Sequence, residues 1–172
     1  MVKVASVRSQ RPGGTDRLLS DVARKLVSEG IQVRGVVQTN IERPGRSKCD
    51  MDLIVLPHGP EVRITQDLGD NARGCRLDSG ALEQAVFHVE ATLHGRVDLL
   101  IINKFGKRES EGRGFRSVIG DALERGIPVL AGLNALNDAD FCRFAGELAE
   151  YLPDDVDIIL DWCRAQVRLE AV

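Results

Sequence analysis

Three short segments carry residue types whose order could do chemistry. The first is Arg8-Ser9-Gln10-Arg11-Pro12-Gly13-Gly14-Thr15, which follows an apolar run and precedes an amphipathic stretch. A glycine turn between a strand and a helix presents backbone N–H groups and a helix dipole to an anion. The working phosphate loop has the spacing G-x-x-x-x-G-K-S/T, whose lysine reaches the phosphates. Placing Gly13-Gly14-Thr15 on the last three positions puts Arg8 at the first glycine and Gly14 at the lysine. The segment reads in two ways: an anion cradle of Gly13, Gly14 and Thr15, or a glycine turn that only starts a helix.

The second segment is Asn103-Lys104-Phe105-Gly106-Lys107, directly after the apolar run 97–102. In nucleotide hydrolases a strand here ends in an Asp that helps hold magnesium. Neutral Asn103 binds such an ion weakly, and Lys104 repels it. Both changes argue against metal-assisted hydrolysis. They leave Asn103 as a hydrogen-bonding partner and Lys104 and Lys107 as sources of positive charge. Glu109 and Glu111 follow closely and are the candidate catalytic carboxylates of an enzyme reading. The alternative is a solvated charged loop containing Lys104, Lys107, Arg108, Glu109 and Glu111.

The third segment pairs Lys48-Cys49-Asp50-Met51-Asp52 with Arg73-Gly74-Cys75-Arg76-Leu77-Asp78. Cys49 and Cys75, helped by Asp50, Asp52 or His58, are candidate ligands for a soft or borderline metal. Lys48, Arg73 and Arg76 would instead favour a thiolate or an oxyanion. Because ligand spacing is missing, the leading description is two ordinary cysteines in loop-to-strand transitions. Cys142 and Cys163 fall in helical patterns and are expected in the core. No HExxH or GxSxG string occurs, and aromatic residues make up only 4% of the chain. That is little material for stacking on single-stranded nucleic acid. Trp162 and Tyr151 are expected to pack.

These segments need a frame. Apolar, β-branched runs at 2–7, 31–38, 97–102 and 127–131 read as buried strands. Runs at 51–56 and 61–65 flank Pro57-His58-Gly59-Pro60 and read as a β-hairpin. Between them lie helical periodicities. One starts at a Thr15 or Asp16 cap and ends at Gly30. Another covers 81–94 with Asp78 or Ser79 as its cap, and others cover 115–125 and 138–151. Residues 157–167 are expected to hold a short apolar segment and a closing helix. Residues 39–50, 66–78 and 106–114 read as loops. Strands alternating with helices predict a three-layer α/β domain over 1–172, with a mainly parallel sheet, right-handed crossovers and one hairpin insertion. Ligands in such sheets bind beyond the carboxyl ends of the strands. That rule gathers residues 8–15, residues 38–40, residues 103–114 and Asn134 at one edge.

The chain has 172 residues and a net charge of −3, with 43% hydrophobic and 28% charged residues. Such a composition can form one full core and argues against disorder. The charge is uneven. Residues 1–48 carry ten Lys/Arg against four Asp/Glu, and residues 117–172 carry four against eleven. A nucleic-acid partner is therefore not expected, whereas the basic front third suits a small anionic ligand. No apolar run is long enough for a membrane span. The start, MVKVASVRSQ, does not resemble a secretory signal. The expected setting is cytoplasmic, with reduced thiols, and a protein partner or a homo-oligomer stays open. No cofactor is named by these residues.

Two family resemblances follow from these strings. The run Asp98-Leu99-Leu100-Ile101-Ile102-Asn103-Lys104-Phe105-Gly106-Lys107, continuing to Phe115, resembles the second signature of small P-loop nucleoside-triphosphatases of the cancer-related NTPase family. That resemblance implies a P-loop NTPase-like topology. The chain departs from the pattern at Arg8, Gly14, Asn103 and Lys104. Gly35-Val36-Val37-Gln38, Cys49-Asp50-Met51-Asp52-Leu53, Gln66-Asp67-Leu68-Gly69, Arg73-Gly74-Cys75-Arg76-Leu77-Asp78 and Asn103-Lys104-Phe105-Gly106-Lys107 resemble an uncharacterised bacterial domain family. Its members often lie near genes for molybdate uptake or molybdenum-cofactor handling, which implies a link to that chemistry. The expectation is a ligand-binding or accessory protein on a degenerate P-loop scaffold. It would take a small anion or nucleotide-like molecule through Gly13, Gly14, Thr15, Gln38, Asn103, Lys104 and Lys107. The alternatives are a divergent nucleotide-dependent hydrolase or phosphotransferase, and a purely structural partner domain.

Overall fold

The computed structural model describes residues 1–69 and 76–170. Its centre is a seven-stranded sheet of order β4-β3-β2-β5-β6-β1-β7. The strands are β1 (Val4–Val7), β2 (Val33–Ile41), β3 (Asp50–Val55), β4 (Glu61–Arg63), β5 (Leu99–Phe105), β6 (Val129–Leu133) and β7 (Ala149–Leu152). From β2 to β7 every neighbouring pair is parallel, while β3 and β4 add antiparallel strands beyond β2. This is the mainly parallel sheet with a hairpin that the strand patterns predict.

Helices cover both faces, because β5 and its neighbours are apolar on both. Ala5, Val7, Leu99, Ile101 and Leu130 point to one side. There Leu18, Leu19, Val22 and Leu26 of α1 (Gly14–Ser28) join Ile159, Leu160 and Cys163 of α6 (Val156–Glu170). Val4, Val36, Leu100, Ile102 and Val129 point to the other side. They meet α2 (Ser79–Thr92), α4 (Arg116–Glu124) and α5 (Asp138–Ala145). Burial on both faces is why the central strands read as continuous apolar runs rather than alternating ones.

The structure changes several expectations. The stretch 138–151 is not one helix. It breaks at Gly146, whose φ is +53°, and Ala149–Leu152 forms β7 beside β1. Helical periodicity cannot show such a break, since a four-residue edge strand leaves almost no pattern. The closing segment is a single helix, α6, rather than an apolar stretch plus a helix. Strand β2 continues to Ile41 because β3 pairs along it as far as Asp50, so the loop expected from Thr39 starts later. Helix α1 is capped neither by Thr15 nor by Asp16. Gly13, in the left-handed region at φ +63°, is its N-cap, and both other residues lie in the first turn with work elsewhere. Asp78, by contrast, caps α2 as expected, accepting from the Ala81 N–H at 3.0 Å. Cys142 is exposed rather than in the core, while Cys163 is buried. Tyr151 is also largely exposed.

Among the described residues, no helix is long and apolar enough to cross a membrane.

Candidate functional site

The carboxyl ends of β1, β5 and β6 open on one crevice, built around an irregularity in β5. Ile102 pairs with Ala131 and Phe105 with Leu133, so β5 carries one residue more than β6 between those pairs. Such a bulge re-aims the side chains it displaces. Here they are Asn103, which is buried, and Lys104, which is exposed. Gly132 makes the close approach possible, because a Cβ there would lie 2.1 Å from the Asn103 carbonyl oxygen.

Asn103 is engaged through both its amide oxygen and its amide nitrogen. Its Oδ1 accepts from the Gln38 N–H at 2.9 Å, and its Nδ2 donates to Asp16 Oδ1 at 2.9 Å. The second Asp16 oxygen accepts from Asn40 Nδ2 at 2.8 Å, and Gln38 Nε2 donates to Asn40 Oδ1 at 2.9 Å. Asp16, Gln38, Asn40 and Asn103 thus form one amide-carboxylate network tying α1, β2 and β5 together. Sequence reasoning placed Asn40 at this edge and took Asp16 for a helix cap, but gave neither a role in the site. The signal was there in part: an acidic residue in the first turn of α1, facing strand ends that carry amides.

The loop before α1 is closed on itself. The Ser9 N–H donates to Thr15 Oγ1 at 2.9 Å, the Arg11 N–H to Ser9 Oγ at 3.2 Å, and the Gly14 N–H to the Arg11 carbonyl at 2.8 Å. A Cβ on Gly14 would meet Ser9 Oγ at 2.3 Å, so the hydroxyl stands where the lysine of a working phosphate loop would start. Pro12 has no N–H to offer. The Thr15 and Asp16 N–H groups, at the start of the fifteen-residue α1, have no acceptor among the described residues. A magnesium ion fits these residues poorly. The Thr15 hydroxyl oxygen and Asn103 Oδ1 already accept from backbone N–H groups, and the nearby Asp16 carboxylate has both oxygens bonded to the amides of Asn103 and Asn40.

Two cavities meet at this edge and share Asn103 and Lys104. The smaller, about 240 Å³, is lined by Gly13, Gly14, Thr15 and Asp16 with Ser9, Arg11, Gly132 and Asn134. Asn134 also holds the one buried side-chain polar atom without a partner among the described residues, its Oδ1. The larger, about 610 Å³, lies between β2, β3 and α2 and reaches Gln38, Lys107, Arg108, Glu109 and Glu111. The structure therefore brings the expected site residues to one edge but divides them. Gly13, Gly14 and Thr15 face the smaller cavity and Gln38 and Lys107 the larger, with Asn103 and Lys104 on the wall between.

The charged loop is not uniformly solvated. Lys104 and Lys107 are exposed, Arg108 is half-buried and Glu109 is buried. Glu109 sits in the four-residue turn α3 (Lys107–Ser110) and holds the loop shut. One oxygen accepts from the Gly106 N–H at 3.0 Å and the other from the Phe115 N–H at 3.1 Å. Burial raises its pKa, opposed by those N–H groups and by Lys104. Glu111 pairs with Lys107 at 3.8 Å on the surface.

The proposed metal pair does not assemble in view. Cys49 is half-buried, and Cys75 lies outside the described residues. Asp50 and Asp52, both buried, are taken by arginines. Asp50 pairs with Arg43, with Arg63 at 3.1 Å and with Arg76 at 3.6 Å, and Asp52 pairs with Arg63. Among the described residues no cluster of three or more His, Cys, Asp or Glu side chains is placed to hold a metal.

With this geometry in hand, comparison with known proteins places the chain. A family model described as "Protein of unknown function (DUF2478)" matches residues 4–162. The chain belongs to that family. One curated relative of this family member is the molybdenum import ATP-binding protein ModC 2 of Bradyrhizobium diazoefficiens, 35% identical over 162 residues. The match takes in 94% of this chain but 18% of that protein, so the chain spans about a fifth of the relative's length. Among solved structures, THEP1 from the hyperthermophile Aquifex aeolicus matches with a TM-score of 0.62 at 15% identity, over 94% of this chain and 95% of that one. That likeness concerns the fold, and it agrees with the P-loop NTPase-like topology expected from the sequence.

Proposed function

We propose that this chain binds a small anionic, nucleotide-like ligand at the strand-end crevice and acts as an accessory or ligand-sensing module rather than as a hydrolase. The observation that carries the reading is the position of Lys104. The β5 bulge lifts it onto the wall between the two cavities, where it forms no salt bridge among the described residues while its charge reaches the buried Glu109 carboxyl. An ammonium held at the mouth of a crevice attracts anions and focuses their approach. The open N–H groups of Thr15 and Asp16 add donors from the α1 terminus.

Three features support binding without turnover. Gly14 stands at the lysine position, Asn103 and Lys104 stand where a metal site needs negative charge, and both Glu109 oxygens are spent on backbone N–H groups. The molybdenum-import relative supports placing the ligand in molybdate-linked metabolism. The test is calorimetric titration of the full chain with inorganic phosphate, molybdate, ADP and magnesium ATP. Saturable binding of at least one, weakened about tenfold or more in Lys104→Ala, is the expected result, with no nucleotide turnover. Absence of saturable binding by all four would remove the proposal.

A further inference from the structure

The larger cavity has no place in the phosphate-loop scheme. It lies on the hairpin side of β5, away from Gly13 and Gly14, and its 610 Å³ falls in the range of small-molecule pockets. Val36, Leu53, Ile64, Leu82 and Phe115 contribute apolar wall from the second core cluster, the one facing α2. Inorganic oxyanions find no donors on such a wall, and losing their hydration there is costly. A ligand that uses this space must carry an apolar or aromatic body.

Arg108 supplies the other half of the argument. It is half-buried, lines this cavity and donates to the Ser79 hydroxyl at the start of α2. No carboxylate lies within ion-pair distance of it among the described residues. The half-buried Arg76, by comparison, pairs with Asp50. A guanidinium withdrawn from water without a counter-charge is costly, and a planar oxyanion matches its fork of donors. Lys104 and the exposed Lys107 line the same cavity, whose acidic residues are Glu109, spent on backbone N–H groups, and Glu111, paired with Lys107.

We infer that the 610 Å³ cavity is a binding site for an organic anion: a compact aromatic or apolar body seated on the α2-facing wall, with its phosphate, sulfonate or carboxylate held by Arg108 and Lys104. This rests on the anion-binding reading above and adds the ligand class. A bare oxyanion would be the lesser ligand.

The test uses the fluorescent probe 8-anilinonaphthalene-1-sulfonate, displaced by phenyl phosphate or by inorganic phosphate. The wild-type chain is expected to bind the probe saturably at one site. Phenyl phosphate is expected to displace it at a concentration at least tenfold below that of inorganic phosphate. Arg108→Gln should weaken phenyl phosphate about tenfold or more. Leu77→Trp, which fills the cavity from its edge, should abolish the preference for the aromatic ligand, and it carries the test if the arginine variant fails to fold. Equal potency of the two phosphates, or indifference of phenyl phosphate to a folded variant at either position, overturns the inference. Lys104-dependent binding of inorganic phosphate without any aromatic preference removes this inference and leaves the anion reading standing. Loss of all anion binding removes both.

Discussion

Asn103 Nδ2 donates to Asp16 Oδ1 at 2.9 Å, joining the end of β5 to the first turn of α1 across the crevice. The relationship explains why an amide suits this strand end. A carboxylate at 103 would face the Asp16 carboxylate and would also lose the donor that Asp16 uses. Asn103→Asp is therefore expected to cost about 1–3 kcal/mol at neutral pH, the range for an unsatisfied buried polar group. The like charge would raise the new carboxyl's pKa, so the loss should shrink on acidification. Urea unfolding at pH 5 and pH 7.5 checks this. The variant should not gain magnesium-dependent nucleotide turnover.

Glu109 gives a pH prediction with a definite sign. Its carboxyl, buried in the α3 turn, is held above its ordinary value of 4.5. A carboxyl that is harder to ionise when folded helps stability fully below its unfolded pKa. That help is lost as pH rises through the folded value. The stability advantage of the wild type over Glu109→Gln should thus be largest below pH 4.5 and decline above it to a plateau. At the plateau the glutamine variant is still expected to be less stable, by about 1–3 kcal/mol, since one amide oxygen cannot serve both N–H groups fully. Unfolding curves for both proteins across pH 4 to 8 read this directly.

Two glycines should respond oppositely to alanine. At Gly132 the new Cβ would lie 2.1 Å from the Asn103 carbonyl oxygen. The β5 bulge must shift, at a cost of about 1–3 kcal/mol, and anion affinity should fall with it. At Gly120, within α4, a Cβ meets nothing within 4 Å. Alanine there should stabilise by about 0.5–1 kcal/mol without touching affinity. Thermal unfolding with calorimetric titration separates the two effects.

The cysteines should divide by burial. Burial pushes the Cys163 thiol up to about 12, so it holds almost no thiolate at pH 8. Cys142 is exposed and Cys49 half-buried. Brief iodoacetamide labelling of the native chain, mapped by mass spectrometry, should modify Cys142 and spare Cys163 until denaturant is added.

The frame was legible because its signals are long and local. Val97–Ile102 announces a strand buried on both faces, and the prolines between 57 and 60 mark the hairpin. Both the family and its P-loop NTPase-like topology were readable from strings such as Asn103-Lys104-Phe105-Gly106-Lys107. What escaped depends on contacts between distant residues. β7 exists because β1 offers it an edge, not because residues 149–152 read as a strand. Asp16 joined the site, and Asn40 found its partner there, only through the crossing of α1 over β2 and β5. The charged loop looked uniform in sequence, yet folding buries Glu109, half-buries Arg108 and leaves Lys104 and Lys107 outside. The division of the site into two cavities follows from the β5 bulge, and a one-residue register change leaves no trace in composition or period.

The most direct measurement of the central claim is diffraction from crystals of the full chain grown with molybdate, recorded at the molybdenum absorption edge. The account predicts an anomalous peak in the strand-end crevice, within hydrogen-bond reach of Lys104 Nζ, that disappears in Lys104→Ala. Molybdate bound only elsewhere on the chain, or a peak in the crevice indifferent to Lys104, would contradict it.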